Sequence, residues 1–489
     1  MAFNLMTRVN NARKAMFGSY HATQDRKRRS APRVTVSSED RVLGTADRRK
    51  LIATAREQRR NQTILAWLIR THLDSVSRFS FQAQTGDKGL DLELERLMAW
   101  RSRAGNWDVA GRHNRNSYMR LVEAGRVVDG DIGNVLVRGG LLQAIEGDRI
   151  AWPTKGGPVP GKTKADWTNG VRLSNAGKSL SYMVNKRDGE SLVYDRVVSA
   201  RNFDLIGYYD RFDQVRGISP LASALTMIQD NYEVHEALRI KAKMQAILGI
   251  FFKRAASTEG DGYVYTDQET GEDPDADTER YTFDMVPGLK IEGLPGDEAD
   301  LLESRTPSTE VIEFSRLIIH IAMLALDIPM TFFDSRESSY SAQRQDAVRY
   351  SKAVAAKQEA LTNFLDRITA WDLARWTSDG GAGALVTLPG KMLPRDVRWQ
   401  WVPDGTPWID PLKEVNANML AVSAGFTTRD DVCRRVYNTR FTDVSELLGK
   451  EEAQAIKDGA TLAIGQPGQV TTREEEVGNP ANATTTGAE

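Results

Sequence analysis

Apolar residues recur at three- and four-residue steps through Val311, Phe314, Leu317, Ile318, Ile321, Leu324 and Ala325, the spacing of one broad helical face. Thr306-Pro307, a capping residue followed by proline at the first helical position, opens that helix. Asp327-Ile328-Pro329 ends it, because proline disfavours the helical region for the residue before it. A mixed loop from Met330 to Tyr340 follows. From Ser341 to Ser378 a second helical pattern runs without proline or glycine, about 55 Å at a rise of 1.5 Å per residue. Gln343, Arg344, Arg349, Lys352 and Lys357 dominate its first half, and Leu361, Phe364, Leu365, Ile368, Trp371 and Trp376 stripe the second. Such a helix either projects from the core toward a neighbouring subunit or a wet cavity, or crosses a solvated surface.

The same reading predicts helices over Arg48–His72, Leu90–Trp100 and Ser219–Leu248, the last striped by Leu221, Leu225, Ile228, Tyr232, Leu238 and Ile240. Residues 118–152, with β-branched residues between Gly and Asp breaks, read as short strands, beginning with Tyr118–Val122 and Arg126–Val128. Val171–Leu173 and Leu180–Val184, joined through Asn175-Ala176-Gly177, read as a hairpin. Further short strands are predicted at Tyr263–Tyr265, Tyr281–Phe283, Ala384–Leu388 and Val397–Val402, and helices over 410–458. The fold class is therefore α+β, mainly helical. Beyond Ile464 the composition builds no core and disorder is expected.

At 489 residues the chain has room for two to four domains. Its net charge of −1 hides segregation: residues 1–60 hold fifteen Lys or Arg against five acidic residues, and residues 258–303 hold fifteen acidic against two basic. Blocks of this kind mark solvated or partner-facing segments. One cysteine, Cys433, excludes an internal disulfide and fits a reducing compartment. Met1–Met16 has no continuous apolar core for a secretory signal, and Leu317–Leu326, the most apolar run, is half the length of a membrane span. A soluble chain with no membrane partner, assembled in the cytoplasm, is expected.

Candidate chemistry is sparse. Gly156–Thr163 fits the phosphate-loop pattern, with Lys162 and Thr163 in place, but Pro158 and Pro160 remove two backbone donors. Asp273, Asp275 and Asp277 at alternate positions are calcium-loop-like, yet Thr278 stands where that loop needs glycine. The five histidines lack metal-ligand spacing, and no Ser/His/Asp or Cys/His constellation is evident. No catalytic residue, metal or cofactor is assigned, which argues for a structural or binding protein rather than an enzyme. Two other readings stay open: a phosphate-loop NTPase using Lys162, and a monomeric nucleic-acid adaptor using the basic Arg26–Arg29 knot.

Several stretches together resemble the portal proteins of tailed bacteriophages, of the lambda-like type. Arg211-Phe212-Asp213-Gln214-Val215-Arg216-Gly217-Ile218-Ser219-Pro220-Leu221 is similar to the family's Arg-x-Gly-Gln-x-Arg-Gly-Val-Ser turn, departing from it at Asp213. Leu121–Val128 with Glu146–Ile150 is a second such stretch, Ser339–Arg344 a third, and Trp408–Glu414 with Ala424–Thr428 a fourth. Each is short; their order and spacing over roughly residues 115–455 carry the resemblance.

The resemblance implies a homo-oligomeric ring, typically a dodecamer, at one capsid vertex of the virion. Double-stranded DNA would enter and leave through it. Partners would be the terminase large subunit, the head-tail adaptor, and the major capsid and scaffold proteins. It divides the chain into a flexible basic arm (1–50), an α+β wing (51–218, with strands in 379–407), stem helices (219–248 and 306–326), an acidic clip (249–305), a channel loop (327–341), a long helix (342–378), a helical crown (408–460) and a disordered tail (461–489). Arg336, Ser339, Tyr340 and Arg344 would face the DNA channel. Asp267, Glu269, Glu272, Asp273, Asp275 and Asp277 of the clip would dock the motor and later the adaptor, with charge setting orientation and encounter rate.

Overall fold

A computed structural model gives the architecture of residues 37–458, except 157–158, 160–161, 248–250, 255–296, 301–308, 337, 379–383, 391, 405–410 and 438. The acidic clip positions, the strands expected at Tyr263–Tyr265 and Tyr281–Phe283, the cap Thr306-Pro307 and the tail beyond Ile464 lie outside the described residues. Described residues form two compact units, one of Met1–Arg78 with Thr85–Val397, the other of Phe79–Gln84 with Arg398–Glu489.

The first unit opens with a helical turn, Glu39–Val42, and helix α1 (Thr45–Asn61), on which Arg48 is buried. The expected flexible arm over 1–50 is therefore too long at its C-terminal end: Arg48 is drawn inside by a buried carboxylate. The single helix expected over Arg48–His72 is two, α1 and α2 (Thr63–Val76), broken at Gln62, whose backbone is extended. Gln58 and Gln62 turn toward another helix instead of solvent, donating to the Leu225 carbonyl (3.1 Å) and to Gln229 Oε1 (3.0 Å).

Helix α3 (Lys88–Arg101), capped by Asp87, stands as expected. Residues 118–128 do not form strands: Arg115–Asp129 is helix α4. Asn114 caps it, accepting from Ser117 N–H at 2.8 Å, and Gly130 at φ +92° ends it. Tyr118, Met119, Val122 and Val127 are buried at helical spacing, so packing overrides the β preference of the valines.

Beyond α4, β2 (Asp131–Val137) sits between β3 (Leu141–Glu146) and β8 (Phe203–Gly207) in an antiparallel sheet, the last strand returning from a second sheet. That second sheet is an antiparallel meander of β4 (Trp167–Thr168), β5 (Val171–Leu173), β6 (Ser179–Asp188) and β7 (Ser191–Ser199). The expected hairpin is β5–β6, with Gly177 at φ +78° in its turn. Val135, Ile145, Ile150, Val171, Tyr182, Val184 and Phe203 form a shared core, in which Tyr182 and Phe203 stack at 4.2 Å. Gly133 makes room for the Phe203 ring; a Cβ there would lie 2.2 Å from it.

Pro220–Ser223 is a 3-10 turn leading into α5 (Leu225–Ile247). β9 (Phe251–Arg254) pairs antiparallel with β10 (Asp297–Asp300). Helix α6 (Thr309–Leu324) packs on α5, and α7 (Tyr340–Trp376) is the expected long helix. No strand forms at Ala384–Leu388; Leu385 and Val386 instead donate their N–H groups to the Trp376 carbonyl (2.8 and 3.2 Å), covering the end of α7.

In the second unit β1 (Phe79–Ala83) pairs antiparallel with β11 (Trp399–Pro403), and Phe81 meets Trp401 at 5.1 Å. Helices α8 (Pro411–Ser423) and α9 (Phe441–Lys457) follow, as the C-terminal pattern predicts. Between them Thr428 caps a short turn, and Asp430 accepts from the Phe441 N–H at 3.0 Å.

Candidate functional site

Helix α6 ends in a Schellman turn. Asp327 takes φ +58°, and the Ile328 N–H reaches back to the Met323 carbonyl at 3.2 Å, with Leu326 and Ile328 fully buried. Proline at 329 then prevents the helix from resuming. Lys357, from the middle of α7, donates to the Leu326 carbonyl at 2.6 Å and meets Asp327 Oδ2 at 2.9 Å.

The loop that follows is held by its aromatic residues. Phe333 meets Trp67 of α2 edge-on at 5.6 Å, and Phe332 meets Tyr350 of α7 at 5.1 Å. Thr331 donates to Asp346 at 3.1 Å. Asp334 ties the loop to α6, its Oδ2 lying 3.2 Å from the Arg316 guanidinium. It also accepts a fork from Arg336, at 3.0 and 2.8 Å. That hydrogen-bonded fork, with the Arg336 N–H, draws the Asp334 carboxyl down to about 2.

The four residues expected at the channel lie at this junction. Arg336 bonds Asp334 while 86% of its side chain stays exposed. Ser339 is the N-cap of α7, its hydroxyl accepting from the Ala342 N–H at 3.3 Å. Tyr340 and Arg344, in the first turns, are exposed. All four are thus exposed at the loop–helix junction. Lys357, Trp67 and Asp334 were missed as positioning residues, since nothing in local spacing pairs Lys357 with a carbonyl thirty-one residues earlier.

Other motif stretches meet at a buried ionic hub. Asp131 accepts a fork from Arg216 (2.7 and 2.7 Å), pairs with Arg48 at 2.9 Å and accepts from the Gly217 N–H at 2.9 Å. Arg216 also donates to the carbonyls of Gly147 (2.7 Å), Asn169 (2.7 Å) and Ile150. Burial alone pushes the Asp131 carboxyl up; Arg216, Arg48 and the Gly217 N–H more than reverse it, so it lies below the ordinary carboxylate range. Gln214 braces the turn by donating to the carbonyls of Tyr208 and Arg216, and Ser219 donates to that of Val127. A Cβ at Gly217 would sit 2.2 Å from the Gly130 carbonyl oxygen, so this crossing needs glycine. Asp213, where the family pattern has glycine, keeps a negative φ at the surface and pairs with Arg211 at 3.4 Å.

A second buried cluster joins α2, α4 and the strand exit at Tyr208. Glu123 accepts from His72 Nε2 (2.7 Å) and the Tyr208 hydroxyl (2.9 Å) and pairs with Arg126 (3.2 Å). Burial raises its pKa, but Arg126, His72 and Tyr208 together bring it below the ordinary range. Both clusters use their polar atoms to join elements, and neither opens on a nucleophile.

The phosphate-loop-like stretch leads into one 3-10 turn, Lys164–Asp166, and then β4, not into the helix whose first N–H groups would hold a phosphate. Val159 in its middle is buried with Trp167 and Met183. Among the described residues no group of His, Cys, Asp or Glu is arranged to hold a metal ion, and no helix is long and apolar enough to cross a membrane.

A family model described as phage portal protein, lambda family, matches residues 25–358. No curated protein matches the chain. Among solved structures, a chain of the virion of a native gene transfer agent particle is similar at 14% identity and TM-score 0.44, over 79% of this chain and 92% of that one. The neck of the native particle, computed with C12 symmetry, matches at 13% identity and TM-score 0.44, over 80% and 93%. An HK97 family phage portal protein from Corynebacterium diphtheriae matches at 12% identity and TM-score 0.30, over 66% and 89%.

Proposed function

The chain belongs to the lambda family of phage portal proteins, a structural component of the virion, and on that premise we propose that it works as one subunit of a closed twelve-membered ring. The ring occupies one capsid vertex, and double-stranded DNA is packaged and later ejected through its centre. In this reading residues 51–218 and 379–407 are the wing, 219–248 and 306–326 the stem, 249–305 the clip, 342–378 the long helix and 408–460 the crown. The loop 327–341 borders the channel.

One observation carries the ring: α6 has two apolar faces. Ser315, Ile318, Ile319, Ala322 and Met323 are buried within the subunit, while Phe314, Leu317 and Leu324 are 52%, 55% and 59% exposed. At about 100° per residue the two stripes lie on nearly opposite sides of the helix. The broad face expected from the sequence is thus split, and its bare half suits a neighbouring copy. On α5, Tyr232 and Ile240 of the expected stripe are likewise exposed. Closure follows when head-to-tail contacts of this kind repeat around an axis.

Within the ring, DNA must slide without being gripped, since phosphate neutralisation along a channel binds tightly and in a salt-dependent way. Arg336 suits this task because its charge is already engaged by Asp334, leaving weak, transient contacts for Ser339, Tyr340 and Arg344. The acidic clip would dock the terminase motor and then the adaptor, and the ring itself would hydrolyse no ATP. Electron micrographs and sedimentation of the purified protein test the reading: rings with a central opening are expected. A stable single subunit, as a monomeric nucleic-acid adaptor requires, overturns it, and ATP hydrolysis lost on Lys162→Ala would favour an NTPase.

A further inference from the structure

A cleft of 180 Å³ opens where the elbow between α1 and α2, Asn61 to Ile64, meets α5 and α6. Ile228, Ile318, Ile319 and Ala322 are its buried floor, and the half-buried Ile64 with the exposed Tyr232 and His235 forms its mouth. An apolar cavity of about 150 Å³ takes one benzene ring, so this cleft has room for a single Leu or Phe side chain. The charge beside it is positive. Arg239 and Lys243, both exposed, continue the Ile228, Tyr232 and His235 face of α5 at four-residue steps. Arg239 pairs with Glu236 of its own helix at 3.0 Å.

The other side of α6 carries the converse surface. Leu317 is 55% exposed. At about 100° per residue it lies roughly 150° around the helix from the side of Ile318, Ile319 and Ala322 that lines the cleft. Glu310 and Glu313, both exposed, share its side of the helix. Glu313 stands 4.0 Å from Arg316, whose guanidinium is held at 3.2 Å by Asp334.

One side of the subunit thus offers an apolar knob beside acidic residues, and the other an apolar hole beside basic ones. Unlike faces that fit each other make head-to-tail contacts, and these close into a ring when the rotation between copies allows it. We propose that Leu317 of one copy seats in the cleft between Ile228, Ile318 and Ala322 of the next, with Glu310 and Glu313 facing Arg239 and Lys243. Charge pairing of this kind fixes the register of the two copies. The assignment rests on the ring reading and goes beyond it by naming the receiving surface.

The test places cysteines at Leu317 and Tyr232 in a Cys433→Ser background and joins thiols in the assembled protein with a short bis-maleimide. Both positions are exposed, so neither substitution empties a core. A ladder of covalent oligomers is expected on a denaturing gel, and either cysteine alone should leave single subunits. A second pair of variants decides the matter if the cysteine protein does not assemble. Leu317→Glu, which brings a carboxylate to an apolar floor, should lower the assembled fraction roughly tenfold or more. Adding Tyr232→Arg should restore it. Rings that give no ladder overturn the proposal and leave the portal reading standing, and so does assembly that Tyr232→Arg fails to restore. Joining through Leu317→Cys alone would mean that bare stripes face each other, which overturns it equally. An unaltered chain that forms no ring overturns both.

Discussion

The Lys357 ammonium lies 2.6 Å from the Leu326 carbonyl oxygen, so the middle of the long helix closes the C-terminal end of the helix before it. The helix dipole and the orphan carbonyls at that end favour a cation there. Lys357→Met should leave the Leu326 carbonyl without its donor and Asp327 without its counter-charge, at a cost of about 1–3 kcal/mol. Urea unfolding of the variant checks this; an unchanged midpoint would mean the contact is dispensable.

The ionic hub predicts an acid dependence. Asp131 and Glu123 both have folded pKa values below their unfolded ones. Their contribution is therefore complete above the unfolded values, about 4, and is lost as pH falls through the folded values. Burial raises Asp129, Asp204 and Asp372 instead, which works in the opposite direction and softens the loss. Asp131→Asn should lower stability at pH 7 and make it less sensitive to pH below about 4. Thermal melts of both proteins between pH 7 and pH 3 measure the difference. Arg216→Met, which leaves Asp131 with Arg48 as its one cationic partner beside the Gly217 N–H, should cost about 3–5 kcal/mol.

If the bare stripe of α6 meets a neighbouring copy, substitutions on it should separate assembly from folding. Phe314→Glu and Leu317→Glu should shift the protein from rings to smaller species in sedimentation while leaving the far-ultraviolet circular dichroism unchanged. Ile318→Glu, on the buried face, should reduce soluble yield instead, because it buries an unpaired charge.

In the loop between α6 and α7, Asp334 keeps its charge down to about pH 2, so its fork with Arg336 should hold across the working range. Asp334→Asn should release Arg336 and expose the bond after it to trypsin. Limited proteolysis of assembled rings reads this directly. Arg336→Ala with Arg344→Ala should leave rings intact and reduce the DNA packaged per capsid.

Deleting residues 267–279 removes Asp267, Glu269, Glu272, Asp273, Asp275 and Asp277 together. Rings should still form, and binding of the terminase motor should fall at least tenfold. Unchanged motor binding in a pull-down would remove the docking role from this segment.

Much of the helical order was legible in the chain. The long helix Tyr340–Trp376 showed as an unbroken run without proline or glycine, and Asp327-Ile328-Pro329 marked the end of the helix before it. The reading failed at residues 118–128, where Val122, Val127 and Val128 suggested strands; Asn114 and Gly130, a cap and a left-handed stop, were the signals it passed over. The hub was half visible: the Arg211–Ser219 stretch stood out, but nothing local linked Arg216 to Asp131 or either to Arg48.

From the sequence alone came the α+β class, the long helix, the segregated charges and the family resemblance, because spacing, turn residues and composition act over a few neighbouring positions. Only the tertiary structure decided which apolar face of α6 stays bare, that Arg48 belongs to the interior, and that Ile228, Tyr232 and Ile318 come together around one open cleft. Burial and charge pairing depend on what distant segments bring to the same place, and those distances are set by the folded chain.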